Sequence, residues 1–250
     1  MAAASHETGR PDATEQGVPL CPSRAGRYSS KVMRRLMSTL LLAAAIAPAA
    51  CTSGPTPLDD SASYTEQVRE HRARKDRFFS SSDADNPVPK EKRAQLVPLA
   101  YYDIDPEYRI PAALAVAANQ PVFDMPTSTG KMRKVTQIGT LTFTVKGLAL
   151  TLTAFAGEGP NGRPDMNKLF LPFMDATSGK ETYAAGRFLD LDRTATGVYV
   201  IDFNDAYNPY CAYNATFDCP LPPQSNRLKV PIHAGEKVRP DIPAPVTSRS

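Results

Sequence analysis

The clearest structural signal in the chain is Thr140-Leu-Thr-Phe-Thr-Val-Lys-Gly-Leu-Ala-Leu-Thr-Leu-Thr-Ala-Phe155, where apolar residues alternate with other residues on both sides of Lys146-Gly147. A period of two is typical of strands with one buried face, and a two-residue turn joins antiparallel strands. This loop length pairs Val145 with Leu148, Phe143 with Leu150, and Leu141 with Leu152. The pattern therefore predicts a β-hairpin with one continuous apolar face.

More strands are predicted after the hairpin, separated by short turns and without intervening helices. They cover residues 168–174, 182–191 and 198–203, and the alternating Leu228, Val230 and Ile232. Strands at this spacing predict an all-β fold, either a β-sandwich or a partly open barrel of antiparallel strands.

One N-terminal surface helix is predicted before the strands. Ser63 and Glu66 have the spacing of a capping box, in which a hydroxyl and a carboxylate satisfy free amides at the helix start. One face of the helix then carries, at helical spacing, Tyr64, Val68, Arg72, Lys75 and Phe79. The helix is mostly charged, so we expect only its aromatic end to be held by the domain.

Residues 31–51 resemble the export signal of bacterial lipoproteins. Lys31, Arg34 and Arg35 precede an apolar run too short to span a bilayer, and small residues then lead to Cys51. Pro48 stands where such signals usually have Leu, so simple cleavage after Ala50 is the alternative to lipidation of Cys51. We expect an exported protein, either a lipoprotein of the bacterial cell membrane or a periplasmic or extracellular protein.

The sequence divides into four parts. These are a leader with the secretion signal (1–50), a flexible tether (51–62), a single β-rich domain (63–238) and a proline-rich tail (239–250). The first 50 residues contain six of the 29 Lys and Arg residues and three of the 26 Asp and Glu residues, so the remainder holds 23 of each. A neutral domain lacks the positive surface that nucleic acid requires, so no nucleic-acid partner is predicted.

Most candidate functional residues lie between Asp202 and Pro223, directly after a predicted strand. A strand end is rigid, and the loop after it can aim side chains. Tyrosine offers a stacking face and a hydroxyl, which suits sugars and peptides. The ligand-binding candidates are Arg187, Asp202, Asn204, Tyr207, Asn208, Tyr213 and Asn226.

Structural roles compete with binding at several of these positions. The Asn residues can imitate backbone turns at the strand end. Arg187 lies among apolar neighbours, where it can bind a carboxylate such as Asp190 or Asp202 instead of a ligand. Glu236 and Lys237 can likewise contact an anion or join an ion-pair network.

The segment 202–223 resembles the bacterial and archaeal family known as domain of unknown function 1684. The resemblance rests first on Asn-Pro-Tyr-Cys-Ala-Tyr (208–213) and Cys-Pro-Leu-Pro-Pro (219–223). It extends from about Tyr64 to Val238 through Lys-Asp-Arg-Phe-Phe (75–79), Leu-Phe-Leu-Pro-Phe (169–173), Gly-Arg-Phe-Leu-Asp (186–190) and Ala-Gly-Glu-Lys (234–237). It implies one β-rich domain and no established activity, and many members carry export signals.

Cys211 and Cys219 are open to three interpretations. A disulfide between them suits an exported protein and would stabilise it by roughly 2–3 kcal/mol. Cys211 could instead be a nucleophile with His233 as its base, or both thiols could be inert. Cys211, Cys219 and His233 would lack a fourth ligand at zinc spacing, so neither a metal nor a cofactor is predicted.

Our leading hypothesis is a lipid-anchored binding or structural module with an Asn/Tyr/Arg-lined site. Its partners would be the bacterial membrane, through the lipid, and an envelope glycan, peptide or small molecule. The alternative is a small envelope hydrolase or transferase centred on Asp202 or Cys211. The chain contains neither GxSxG nor HExxH, and enzymatic activity stays an open question.

Overall fold

Residues 61–159 and 162–239 are described by the computed structural model, and all of them belong to the unit Pro55–Ser250. The predicted leader, Cys51 and the tail from residue 240 lie outside the described residues. Two helices precede seven strands in the chain. They are α1 (Ser61–Ser80), the single-turn α2 (Arg93–Leu96), β1 (Arg109–Val116), β2 (Val122–Pro126), β3 (Met132–Val145), β4 (Leu148–Glu158), β5 (Pro164–Phe173), β6 (Arg187–Asp192) and β7 (Val198–Asp202).

The seven strands form one antiparallel sheet in the order β6-β5-β4-β3-β1-β7, with β2 also paired to β3. The sheet curls into a nearly closed barrel, which confirms the predicted all-β fold with one helix near its N-terminus. Among the described residues, no helix is long and apolar enough to cross a membrane.

The β3–β4 hairpin has the predicted register. Leu141 pairs with Leu152, Phe143 with Leu150, and Val145 with Leu148. Lys146 and Gly147 join the strands with φ angles of +46° and +81°, as a turn whose twist matches that of the strands requires. The apolar face is buried except near the turn, where Leu148 is 50% exposed.

Three other predicted strands are confirmed as β5, β6 and β7, although β6 begins at Arg187 and not at residue 182. The predicted last strand is wrong, because residues 228–232 form no strand. Pro231 interrupts this segment and has no amide to donate to a ladder. Its apolar residues nevertheless pack into the barrel, where Leu228 is 8% exposed and Ile232 is fully buried. The sequence did not single out β1 and β2.

Helix α1 begins at Ser61, so Ser63 lies inside it and the predicted capping box is wrong. The Ser63 hydroxyl instead accepts a hydrogen bond from Gln67 at 3.3 Å. The expectation that only the aromatic end is held is wrong, since Tyr64 and Val68 are buried as well as Phe79. Because these residues span about four turns, the helix is held along its length and not only at its aromatic end.

Two clusters of buried side chains form the core. The first fills the barrel and includes the inward residues of the hairpin together with Leu228, Ile232 and Ala234. The second lies between α1 and the segment after β7, and contains Phe79, Val88, Leu99, Tyr183, Phe188, Cys211, Ala212, Tyr213 and Cys219. The second cluster fixes α1 against the loops that carry the candidate site.

Candidate functional site

A cleft of about 800 Å³ lies at the junction of α1 with residues 204–220. One wall is the face of α1 that carries His71, Lys75 and Phe78, and the opposite wall is built by the segment after β7. Aromatic rings and prolines supply much of the lining: Phe78, Phe79, Tyr101, Phe188, Tyr207, Pro209, Tyr210, Phe217 and Pro220. The cleft therefore offers a stacking surface to a ligand.

A second cavity of about 600 Å³ continues from the cleft along β3, β4 and β5. The two share a wall made of Arg133, Glu158, Phe188, Tyr207 and Pro220. Arg133 crosses this wall, donating to Glu158 Oε2 at 2.6 Å and to the carbonyl of Asp218 at 2.9 Å. The two cavities are thus adjacent, with the Arg133 side chain between them.

The Lys75 ammonium lies at the floor of the cleft. It donates to Glu236 Oε2 at 2.6 Å, and it lies 5.2, 5.3 and 5.7 Å from the ring centres of Phe79, Tyr207 and Tyr213. The Glu236 carboxylate also accepts hydrogen bonds from Asn208, at 3.1 Å from its backbone N–H and 3.2 Å from its side-chain amide. An ion pair partly enclosed by three rings is thus the polar centre of an aromatic site.

Arg72 holds the same face of α1 to the barrel. Its guanidinium stacks on Tyr101 with 4.4 Å to the ring centre, and it donates to the carbonyls of Tyr102 at 2.9 Å and Asn204 at 3.3 Å. Burial lowers the pKa of Arg72 and raises that of the Tyr101 hydroxyl. Arg72 thus supports the wall of the cleft through contacts with the backbone.

The structure separates the predicted ligand-binding residues into three groups. Asn204 and Tyr207 line the cleft. Asn208 and Tyr213 lie directly behind it, in contact with the Lys75–Glu236 pair. Asp202, Arg187 and Asn226 do not line either cavity, and each has structural partners elsewhere.

Asp202 is bound to α1. Tyr64 donates its hydroxyl to both carboxylate oxygens, at 2.9 and 2.8 Å, and the backbone N–H of Asn204 donates at 2.9 Å. Burial raises the pKa of the Asp202 carboxyl, and the hydrogen bond from Tyr64 opposes that rise. This residue therefore anchors α1 to the end of β7.

The predicted partner of Arg187 is wrong. Arg187 is fully buried and donates to Asp175 Oδ2 at 2.8 Å, and not to Asp190 or Asp202. Its two terminal nitrogens also donate to three carbonyls of the C-terminal segment, whereas its Nε–H is buried without a partner among the described residues. Asn226 is also fully buried, and its amide bridges Thr153 of β4 and Pro172 of β5.

The predicted disulfide is not formed, since Cys211 and Cys219 are both buried free thiols. Cys219 Sγ accepts the backbone N–H of Cys211 at 3.2 Å, and a hydrogen bond between the sulfurs lowers the pKa of Cys211. His233 lies elsewhere, with Nε2 3.8 Å from Glu181. The predicted proximity of the two cysteines is thus confirmed, whereas the predicted disulfide and the placement of His233 beside Cys211 are wrong.

Several cleft residues were missed at the sequence level. Tyr210 and Phe217 form an edge-to-face pair 5.3 Å apart within the segment that had been singled out, where their aromatic character was the available signal. Lys75 had been assigned to the helix face, but nothing in its local pattern indicates a partner 161 residues away. Among the described residues, no group of three or more His, Cys, Asp or Glu side chains could hold a metal ion.

Comparisons with known proteins identify a family and a solved structure, neither with a known activity. The family described as "Protein of unknown function (DUF1684)" matches residues 94–237. The solution NMR structure of an uncharacterised protein from Haloarcula marismortui is 37% identical, with a TM-score of 0.54 over 70% of this chain and 95% of that one. No curated protein is significantly similar to the chain.

Proposed function

The chain belongs to DUF1684, a family of proteins of unknown function, and we propose that it is an exported binding module for a glycan, peptide or other small ligand of the cell envelope. The observation that carries this proposal is the cleft between α1 and residues 204–220. Its volume of about 800 Å³ is in the range of small-ligand sites, and its lining combines aromatic rings with a few fixed polar groups.

The shape and chemistry of the lining favour a ligand with flat or ring-shaped apolar faces. Tyr210 is 40% exposed at the cleft, and its ring packs edge-to-face against Phe217. Sugar rings and the side chains of extended peptides stack on such surfaces while their polar groups contact hydroxyls and charges. The adjoining cavity gives room for a second unit of an oligomeric ligand.

The alternative of a hydrolase or transferase gains no support from the two residues on which it was centred. The Asp202 carboxylate is bound by Tyr64 outside the cleft. The Cys211 side chain is 1% exposed, and its neighbours are Cys219 and Tyr183. Neither group can reach a ligand in the cleft without a rearrangement.

Export and lipid anchoring rest on residues 31–51 alone. We propose that Cys51 carries a diacylglycerol group and that residues after it form a tether to the outer face of the membrane. Mass spectrometry of the mature protein tests this. A lipidated N-terminal cysteine is expected, whereas a free N-terminus at Cys51 would mean simple cleavage.

Ligand binding can be tested by titrating the ¹⁵N-labelled mature protein with soluble peptidoglycan fragments, which contain both sugar and peptide. Chemical-shift changes are expected at Tyr210, Phe217 and the facing turn of α1. Tyr210→Ala should weaken binding about tenfold, as loss of a stacking ring does. Leu148→Ala is the control, since this apolar residue of the hairpin is 50% exposed and lines neither cavity. Shifts elsewhere, or none, would refute this proposal.

A further inference from the structure

The two members of the ion pair at the cleft floor differ in their access to the cleft. The side chain of Lys75 is 19% exposed, whereas that of Glu236 is 1% exposed. A ligand lying on the aromatic rings would therefore meet the ammonium and not the carboxylate.

The hydrogen bonds of the pair leave more unused capacity on the ammonium than on the carboxylate. An ammonium has three N–H donors, and the one acceptor that the described residues offer to Lys75 is Glu236 Oε2. Three aromatic rings surround the rest of the group. Glu236, in contrast, accepts hydrogen bonds from Lys75 and from two N–H groups of Asn208. The pair can therefore accommodate another acceptor, but its carboxylate needs no further donor.

The other carboxylates around the cleft are also occupied. Glu158 accepts from Arg133 at 2.6 Å, Asp205 contacts His71 at 2.9 Å, and Asp218 accepts from Thr129 at 2.6 Å. Each of these carboxylates thus already has a cationic or hydroxyl partner, whereas the Lys75 ammonium keeps N–H donors for an anionic ligand.

We propose that Lys75 is the specificity-determining residue of the cleft and that its ammonium binds a carboxylate or phosphate oxygen of the ligand. The inference rests on the proposed binding function and narrows it to acidic ligands. Charge-assisted hydrogen bonds of this kind are about twice as strong as neutral ones, and the surrounding rings exclude water from them. The ligand thus combines a ring that stacks in the cleft with an acidic group at its floor.

Two disaccharides that differ in one acidic substituent test this preference. N-acetylglucosaminyl-N-acetylmuramic acid carries a lactyl carboxylate, and chitobiose is its neutral counterpart. Dissociation constants measured by NMR titration of the mature protein should be about tenfold lower for the acidic disaccharide. A parallel pair, N-acetylglucosamine 1-phosphate and N-acetylglucosamine, distinguishes phosphate from carboxylate as the preferred group.

The variant must remove the ammonium without leaving a buried charge. Lys75→Met alone would strand the Glu236 carboxylate, so the test uses Lys75→Met together with Glu236→Gln. The acidic and neutral disaccharides should then bind within about twofold of each other, while chitobiose keeps its affinity. Lys180→Met, at an exposed lysine outside the cleft, should preserve the tenfold preference.

Three other results would refute the acidic preference, the role of Lys75 or the binding function. Equal binding of both disaccharides to the natural protein would refute the acidic preference and leave the binding function standing. A preference that survives in the double variant would place anion recognition at another residue. Failure of every probe, including the peptidoglycan fragments, would refute both the preference and the proposed function.

Discussion

At the level of single residues, the guanidinium of Arg187 ties β6 to the C-terminal segment. It pairs with Asp175, and it also donates to the carbonyls of Ile232, Ala234 and Glu236. Both charged side chains are completely buried. Since the segment 228–236 forms no strand, this side chain replaces part of the ladder that would otherwise hold it.

Replacing Arg187 by Met should therefore lower the free energy of unfolding strongly. Removal of one partner leaves the Asp175 charge and three carbonyls unsatisfied, which costs about 3–5 kcal/mol of unfolding free energy. Urea denaturation would measure the loss. The control is Arg77→Met, which breaks an exposed pair with Glu70 and should change stability little. Equal effects of the two substitutions would contradict the assigned role.

The hydrogen bonds from Tyr64 to the Asp202 carboxylate should make a pH-dependent contribution to stability. The pKa of Asp202 is raised in the folded state, so this carboxyl favours folding at low pH and loses that contribution as the pH rises through its folded pKa. The Tyr64 hydroxyl limits the loss by donating to the ionised carboxylate. Tyr64→Phe should thus cost about 1.5–3 kcal/mol at pH 7.5 and clearly less near pH 4.

Urea unfolding at several pH values would measure this difference. In an Asp202→Asn background no carboxylate ionises at this position, so the penalty of Tyr64→Phe should become nearly independent of pH. A penalty that is constant with pH in both backgrounds would show that the hydroxyl does not act through the charge of the Asp202 carboxylate, but through contacts such as the hydrogen bond that it accepts from Asn204.

At the level of secondary-structure elements, the β3–β4 hairpin organises the barrel through its turn. Gly147 has φ of +81°, and an added Cβ there would meet no atom within 4 Å. Any effect of a side chain at this position therefore comes from the backbone. The turn fixes the strand register, and this register places Leu141, Phe143 and Leu152 in the core.

Gly147→Ala should lower the unfolding free energy by about 1–2 kcal/mol, the cost of a left-handed conformation for a residue with a Cβ. Thermal or urea denaturation would measure it. Lys146→Gly is the matched change at the other turn position, where φ is +46°, and it should remove that strain. A loss in Lys146→Gly as large as that in Gly147→Ala would argue against backbone strain as the cause.

At the level of the whole molecule, α1 and the barrel share one cluster of buried side chains. Phe79 packs edge-to-face on Tyr213 at 5.0 Å, and both belong to the cluster that includes Phe188 of β6. Tyr64 and Val68 add buried surface at the other end of the helix. The helix thus depends on tertiary contacts more than on its own propensity.

We therefore expect α1 and the barrel to unfold in a single transition. Far-UV circular dichroism, which reports the helix, and tyrosine fluorescence should give coincident urea curves. Phe79→Ala should shift both curves together, with a loss of about 3–5 kcal/mol. Helical signal lost at lower urea than the tyrosine signal would show instead that α1 is a separately unfolding element.

The hairpin register, the buried face of α1 and the all-β fold could be read from local patterns. Alternation with a period of two, helical spacing and a two-residue glycine turn are each set within a few neighbouring residues. The predicted strand at 228–232 does not form, because Pro231 has no amide to donate to a ladder although its apolar neighbours alternate. The position of the site was partly predictable, since the segment after β7 supplies one wall of the cleft.

The partners of the polar residues could not be read from the sequence. Arg187 contacts Asp175, 12 residues away along the chain. Asp202 accepts from Tyr64 across 138 residues, and Lys75 donates to Glu236 across 161 residues. A buried polar group binds whichever partner the packed chain brings within hydrogen-bonding distance, and that geometry depends on the closing of the barrel and the docking of α1. Composition and local pattern thus specified the strands and their faces, whereas long-range packing created the cleft and assigned its charges.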